Sequence, residues 1–262
     1  MNSLLSALWA ETLKCRRSKV PLFTAIGFSI APLVGGLFMV ILKDPEAARS
    51  MGLISAKAQL TAGTAEWSTL FNLLAQATAV GGAIVLSIFT AWIFGREFSD
   101  HTAKELLALP TSREAIVGAK FIMISAWSFL LILLCYGLGL VVGKLVVIPG
   151  WSPGLFRSAT VDILGAGLLT IPLLPFVALI ASTGRGYLPP FGWTILTVAL
   201  AQIAAITGWG DWFPWSIPAL FSGAVGPRTM FLGSHSYVVI VIAGLAGLAA
   251  AFYWWRSADQ AR

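Results

Sequence analysis

Residues 70–94 read LFNLLAQATAVGGAIVLSIFTAWIF, without one Asp, Glu, Lys, Arg or His, and residues 95–120 continue GREFSDHTAKELLALPTSREAIVGAK. The first stretch is long enough as a helix to cross ~30 Å of hydrocarbon, which takes about 20 apolar residues. The second is polar, charged and punctuated by helix-start signals. A membrane span that ends in a structured polar loop is therefore the unit from which the rest of the chain is read.

Five further stretches have the same character: Val20 to Leu42, Phe121 to Gly143, Ile163 to Ser182, Phe191 to Trp209 and Tyr237 to Trp255. Of 262 residues 58% are hydrophobic and 11% charged, against about 25% charged in a soluble domain, and the mean hydropathy is +0.86. The expected fold class is all-α: a polytopic membrane protein with six transmembrane helices, forming a single transmembrane domain over residues 1–262. A soluble enzyme, a disordered tail and a nucleic-acid-binding domain are excluded, and the expected surroundings are a lipid bilayer. The first span is too long for a signal-peptide core and ends in MVILK with no cleavage-type small residues, so it is expected to stay in the mature chain.

The net charge of +6 and the pI near 9.6 report topology before partners. Eleven Lys and Arg fall on the side of the N-terminus, the 95–120 loop, Arg185 and the tail, and six on the other side in longer loops. By the positive-inside rule both termini are cytoplasmic. Trp67, Trp92, Trp209, Trp212, Trp215, Trp254 and Trp255 cluster near span ends and read as interfacial anchors. Pro32, Pro172 and Pro175 can kink their spans, and Gly139 with Gly143 and Ala243 with Gly247 let helices approach closely.

None of the six spans carries an ionisable group, where ion-coupled transporters commonly place one, so the energy source is expected elsewhere. The chain has no Walker A loop, since Gly143-Lys144 is followed by Leu145, and it has no G-x-S-x-G or H-E-x-x-H. No catalytic residue and no metal or cofactor site is expected. His101 and His235 are isolated, and Cys15 and Cys135 are expected to be free thiols. Asn72, Gln76, Thr78, Thr194, Thr197 and Gln202 are the main polar groups inside the spans. They either bond between helices or line a polar path, in which Asn72, Gln76 and Thr78 would share one track.

In the 95–120 loop, Thr102-Ala-Lys-Glu105 and Thr111-Ser-Arg-Glu114 read as capping boxes. The first opens a short helix with Leu106, Leu107 and Leu109, ended by Pro110. The second opens a helix near Ser112 that runs into the third span. Three leucines on so short a surface helix suit either the lipid headgroups or a protein groove, and a groove is the preferred reading. Arg96, Glu97, Asp100, Lys104 and Glu105 would orient that docking. Leu5, Leu8, Trp9 and Leu13 recur at helical spacing in the N-terminal stretch, which is expected to form an amphipathic helix in the membrane interface. Residues 210–236, interrupted by Pro214 and Pro218, are too short to cross. They either re-enter the outer leaflet or cap it, and Trp212 and Trp215 there would belong to the substrate path. The Lys43 to Thr69 loop is expected to hold an extracellular amphipathic helix.

These features resemble the ABC-2 type permease family, particularly its bacitracin- and lantibiotic-resistance branch. The N-terminal helix ends in an E-x-x-K-x-x-R-S pattern at Glu11, Lys14, Arg17 and Ser18. The loop follows R-E-F-x-x-x-T-x-K-x-L-L-x-x-P-x-S-R at Arg96, Glu97, Phe98, Thr102, Lys104, Leu106, Leu107, Pro110, Ser112 and Arg113, with Lys120 opening the third span. The segment WFPWSIPALF after span five is similar as well. The resemblance implies a permease subunit of an exporter in the bacterial plasma (inner) membrane. ATP and Mg would be held by a separate cytoplasmic ABC ATPase, and a second permease copy or homologue would complete the unit through spans one and five. It also implies that the short helix is the coupling helix, a role carried to Glu97, Thr102, Lys104, Glu105, Leu106, Leu107 and Pro110. The apolar spans favour an amphipathic cargo such as a peptide antibiotic, a drug or a lipid. An ATP-independent channel or secondary transporter is the alternative, and a membrane-bound enzyme or scaffold a third.

Overall fold

A computed structural model describes residues 3–44, 46, 52, 63–102, 105, 111–225 and 232–257. Helix α1 (Ser3–Arg17) ends in Lys14, Arg16 and Arg17, where cations meet the negative end of the helix dipole. A short break leads into α2 (Val20–Lys43), whose first turn holds Pro21. Then come α3 (Trp67–Ser99), α4 (Arg113–Val146), α5 (Pro153–Thr170), a 3-10 turn (Ile171–Leu173) and α6 (Leu174–Thr183). The chain closes with α7 (Leu188–Ile206), the short α8 (Ile217–Ser222) and α9 (Ser234–Ser257). The protein is an all-α polytopic membrane protein. Among the described residues six units are long and apolar enough to cross a membrane: α2, α3, α4, α5 with α6, α7 and α9.

Each crossing unit matches an expected span and most run past the expected ends, but α7 stops at Ile206, three residues short of the expected Trp209. Helix α3 has 33 residues and α4 has 34, about 50 Å each, so both are longer than the hydrocarbon is thick. The polar turns at their ends continue the helix instead of leaving it. Ser112 caps α4, its Oγ accepting from the Ala115 N–H at 3.3 Å. The expected box at Thr111 is therefore displaced by one residue, and Glu114 turns away to pair with Arg256 Nε at 3.4 Å. Pro32 leaves α2 unbroken. Pro172 and Pro175 do break the fourth span, where the 3-10 turn absorbs their missing N–H groups.

Helix α3 is the hub of the bundle, touching α2, α4, α5, α6, α7 and α8. Its packing against α4 depends on two small residues, because a Cβ at Gly139 would lie 2.3 Å from a Leu74 methyl and one at Gly143 2.4 Å from the Trp67 ring. The small-residue pair thus serves packing within the chain. Trp67 and Trp255 are correspondingly buried in the core, which corrects their reading as interfacial anchors, whereas Trp209 and Trp212 are exposed. Helix α8 folds back against α5 and α3 with Ile217 and Leu220 buried. The helix expected between Lys43 and Thr69 falls mostly outside the described residues.

Candidate functional site

At the end of the bundle that carries α1, four charges from three helices meet. Glu97, in the last turns of α3, is 2% exposed. Its Oε1 accepts from Lys14 Nζ at 2.7 Å and from Lys120 Nζ at 2.9 Å. Its Oε2 accepts from the Thr102 hydroxyl at 2.8 Å. Lys120, in the second turn of α4, has no exposed surface. Its ammonium reaches the Ile93 carbonyl at 2.9 Å, Glu97 at 2.9 Å and Glu11 at 3.2 Å, so all three of its donors are engaged. Glu11, 3% exposed, also accepts from Lys14 at 2.8 Å.

Two carboxylates and two ammonium groups cancel in charge, and this is what allows them to lie inside protein. Burial lowers the pKa of Lys14, but the Glu11 and Glu97 carboxylates outweigh it and hold the ammonium above the ordinary lysine value. Burial, then Glu11, pushes the neighbouring Cys15 thiol up to about 11. Lys120, counted among the charges that orient the chain, is thus a buried structural cation. Glu11, Lys14 and Lys120 were visible in the sequence as pattern positions, but their meeting was not.

The cluster stands at the base of the 100–112 loop and is supported from other sides. The Tyr187 ring lies against Gly95, 3.0 Å from where a Cβ would stand. Gly95 is so close to the backbone of Gly186 that a Cβ would meet its carbonyl oxygen at 3.0 Å. Arg96 lies 5.0 Å above the Trp92 ring and 3.9 Å from Asp100. Phe98 packs on Trp254 and Trp255 of α9, and Trp255 donates to Ser182 of α6 at 3.0 Å. Glu105 is exposed, while Lys104, Leu106, Leu107 and Pro110 lie outside the described residues. Of the residues expected to serve coupling, Glu97 and Thr102 are therefore joined directly.

The polar residues expected to line a path differ in their surroundings. Asn72 is exposed, Gln76 donates to the Gly223 carbonyl at 3.5 Å, and Thr78 is buried against Cys135. Trp212 stacks on His235, whose Nε2 lies 2.9 Å from Asp211. Trp215 belongs to an aromatic group with Phe176, Trp193 and Phe213. An apolar groove of about 500 Å³, walled by Phe28, Ala31, Gly35, Leu73 and Val85, opens between α2 and α3. Both cysteines are free. Among the described residues no group of three or more His, Cys, Asp or Glu is placed to hold a metal.

This arrangement, apolar helices around a buried ionic knot at one end, meets its family in the sequence profile of the ABC-2 family transporter proteins, which matches residues 7–201. The chain belongs to that family. The bacitracin transport permease protein BCRB of Bacillus licheniformis is 24% identical over 179 residues, 68% of this chain and 85% of that protein. No solved structure matches the chain. An ABC-2 permease carries no nucleotide-binding domain of its own and is not an enzyme by itself. The matched region contains α1, α3 and α4, and with them all four charges of the cluster.

Proposed function

We propose that this ABC-2 permease is the membrane subunit of an exporter in a bacterial inner membrane, with both termini and the 95–120 loop in the cytoplasm. A separate ATPase drives it through that loop. The observation that carries the reading is Glu97, which binds α1, α4 and the loop residue Thr102 with its two oxygens. A push on the loop at Thr102 then moves three helices as one body, as a lever with a rigid base requires. Leu106 and Leu107, which the sequence places on a short helix, are the surface that enters the ATPase, and α1 lies in the membrane interface with Leu5 and Trp9 outward. A second permease copy or homologue completes the path.

The cargo is amphipathic. The groove between α2 and α3 offers it apolar walls, and the similarity to a bacitracin transport permease supports a peptide antibiotic over an ion. The test is to purify the tagged chain from its native membrane and to assay the ATP hydrolysis that accompanies it. A stoichiometric ATPase whose stimulation is lost in Leu107→Asp, with the permease still inserted, is expected. A chain that purifies without any ATPase would shift the assignment to an ATP-independent channel or secondary transporter.

A further inference from the structure

A second apolar groove, of about 660 Å³, lies between α4, the proline break of the fourth span and α9. Ile122, Ser125 and Ala126 form one wall, Pro172 the floor, and Leu245 and Leu248 the other wall. Ser125 and Ala126 are small side chains that leave this space open. Ile122 and Leu245 are 46% and 61% exposed, so the groove faces the membrane's own lipids.

Its mouth is charged. On α9, Leu245, Leu248, Phe252 and Arg256 follow at spacings of three and four and share one face, as Ser125, Ile122, Gly118 and Glu114 do on α4. Phe121 and Phe252, with ring centroids 6.0 Å apart, lie between the groove and that mouth. Beyond them Arg256 meets Glu114 at 3.4 Å, both largely exposed, and Arg113 donates through Nη1 to the Trp255 and Arg256 carbonyls at 3.3 and 3.1 Å. Two guanidinium groups face one carboxylate, which leaves one positive charge. The exposed pair holds Arg256 weakly, by about 0–1 kcal/mol, so its guanidinium can turn to a phosphate. From Arg256 to Leu248 and Val241 is about 12 and 22 Å along α9. That is the depth range of an acyl chain in one leaflet, half of ~30 Å of hydrocarbon plus the headgroup layer.

We infer that this groove holds one acyl chain of an anionic phospholipid from the leaflet beside α1, its phosphate drawn to Arg256 and Arg113. The full chain is placed in phosphatidylcholine nanodiscs with a trace of phosphatidylglycerol bearing a diazirine in mid-chain. After photolysis the adducts are mapped by mass spectrometry. Adducts are expected to concentrate on residues 121–126 and 241–248 relative to the exposed face of α2. Unlabelled phosphatidylglycerol should displace them better than phosphatidylcholine. Arg256→Gln should weaken that preference about fivefold, the equivalent of about 1 kcal/mol per basic side chain near a membrane surface. Ser125→Trp should clear the groove adducts and leave those on α2 unchanged. Even adduct density on α2 and the groove, or equal competition by the two lipids, would reduce the site to ordinary annular lipid and overturn the inference. Because Arg256 is exposed, its variant decides the matter even where Ser125→Trp does not fold. No ATPase is present in this assay, so its outcome is independent of the coupling role.

Discussion

Lys120 and Lys14 make contacts with the same two carboxylates, yet they should differ in what their loss costs. Lys120 has no exposed surface and its donors are all engaged, so Lys120→Met leaves Glu97 and Glu11 short of a buried counter-charge. The expected loss is about 3–5 kcal/mol, read as a fall in thermal stability in detergent. Glu97→Gln in the same chain should recover part of it, because the unpaired charge is then removed. Lys14 is a quarter exposed and water can replace it, so Lys14→Met is expected to cost on the order of 1 kcal/mol. Equal losses from the two lysines would contradict the burial that distinguishes them. Cys15 provides a second readout. With its thiol pushed up to about 11, only about 0.1% is thiolate at pH 8, and alkylation should run roughly two hundred times slower than for a thiol of pKa ~8.5. The rate should climb about tenfold per pH unit until pH 10, and a plateau near pH 9 would show that the thiol is not held as described.

At the scale of the helices, packing of α3 on α4 makes a prediction that propensity alone does not. Gly139→Leu improves local helix propensity but sets a side chain into Leu74, and overpacking of this kind costs about 1–3 kcal/mol. Gly137 has nothing within reach of a Cβ, so Gly137→Ala should be neutral or gain up to about 1 kcal/mol. A thermal-shift comparison of the two variants checks both signs. The spans themselves were legible because six long apolar runs have no other stable home than a bilayer. Their ends were less so: the helix start near Ser112 was legible from its capping hydroxyl, but Gly95 to Ser99 read as loop although they continue α3. Thr111 and Ser112 both carry a capping hydroxyl, and it is Ser112 that caps α4, while Glu114 pairs with Arg256 of α9, 142 residues away. The ionic cluster was illegible. Glu11, Glu97 and Lys120 sit in three segments, and nothing local separates a solvated charge from one that a distant helix will bury.

For the whole molecule, the decisive feature is that one rod joins both ends. Helix α3 runs from Trp67 to Ser99 without a proline, carries Glu97 near one end, and lies against α8 toward the other, where Gln76 donates to the Gly223 carbonyl. A displacement at the loop base therefore travels to the returning segment without crossing a hinge, whereas the fourth span, broken at Ile171–Leu173, would absorb it. If the loop is the lever of an ATP-driven exporter, Gln76→Leu should uncouple the far end while sparing the near one. In reconstituted vesicles containing the partner ATPase, stimulation of ATP hydrolysis should survive and export of an amphipathic peptide should fall. Thr102→Val, which frees the loop from Glu97, should instead diminish both, because the push is lost before it reaches α3. A Gln76→Leu variant that loses ATPase stimulation together with export would mean that the two ends are not arranged in series along α3, and the rod would then be only a scaffold.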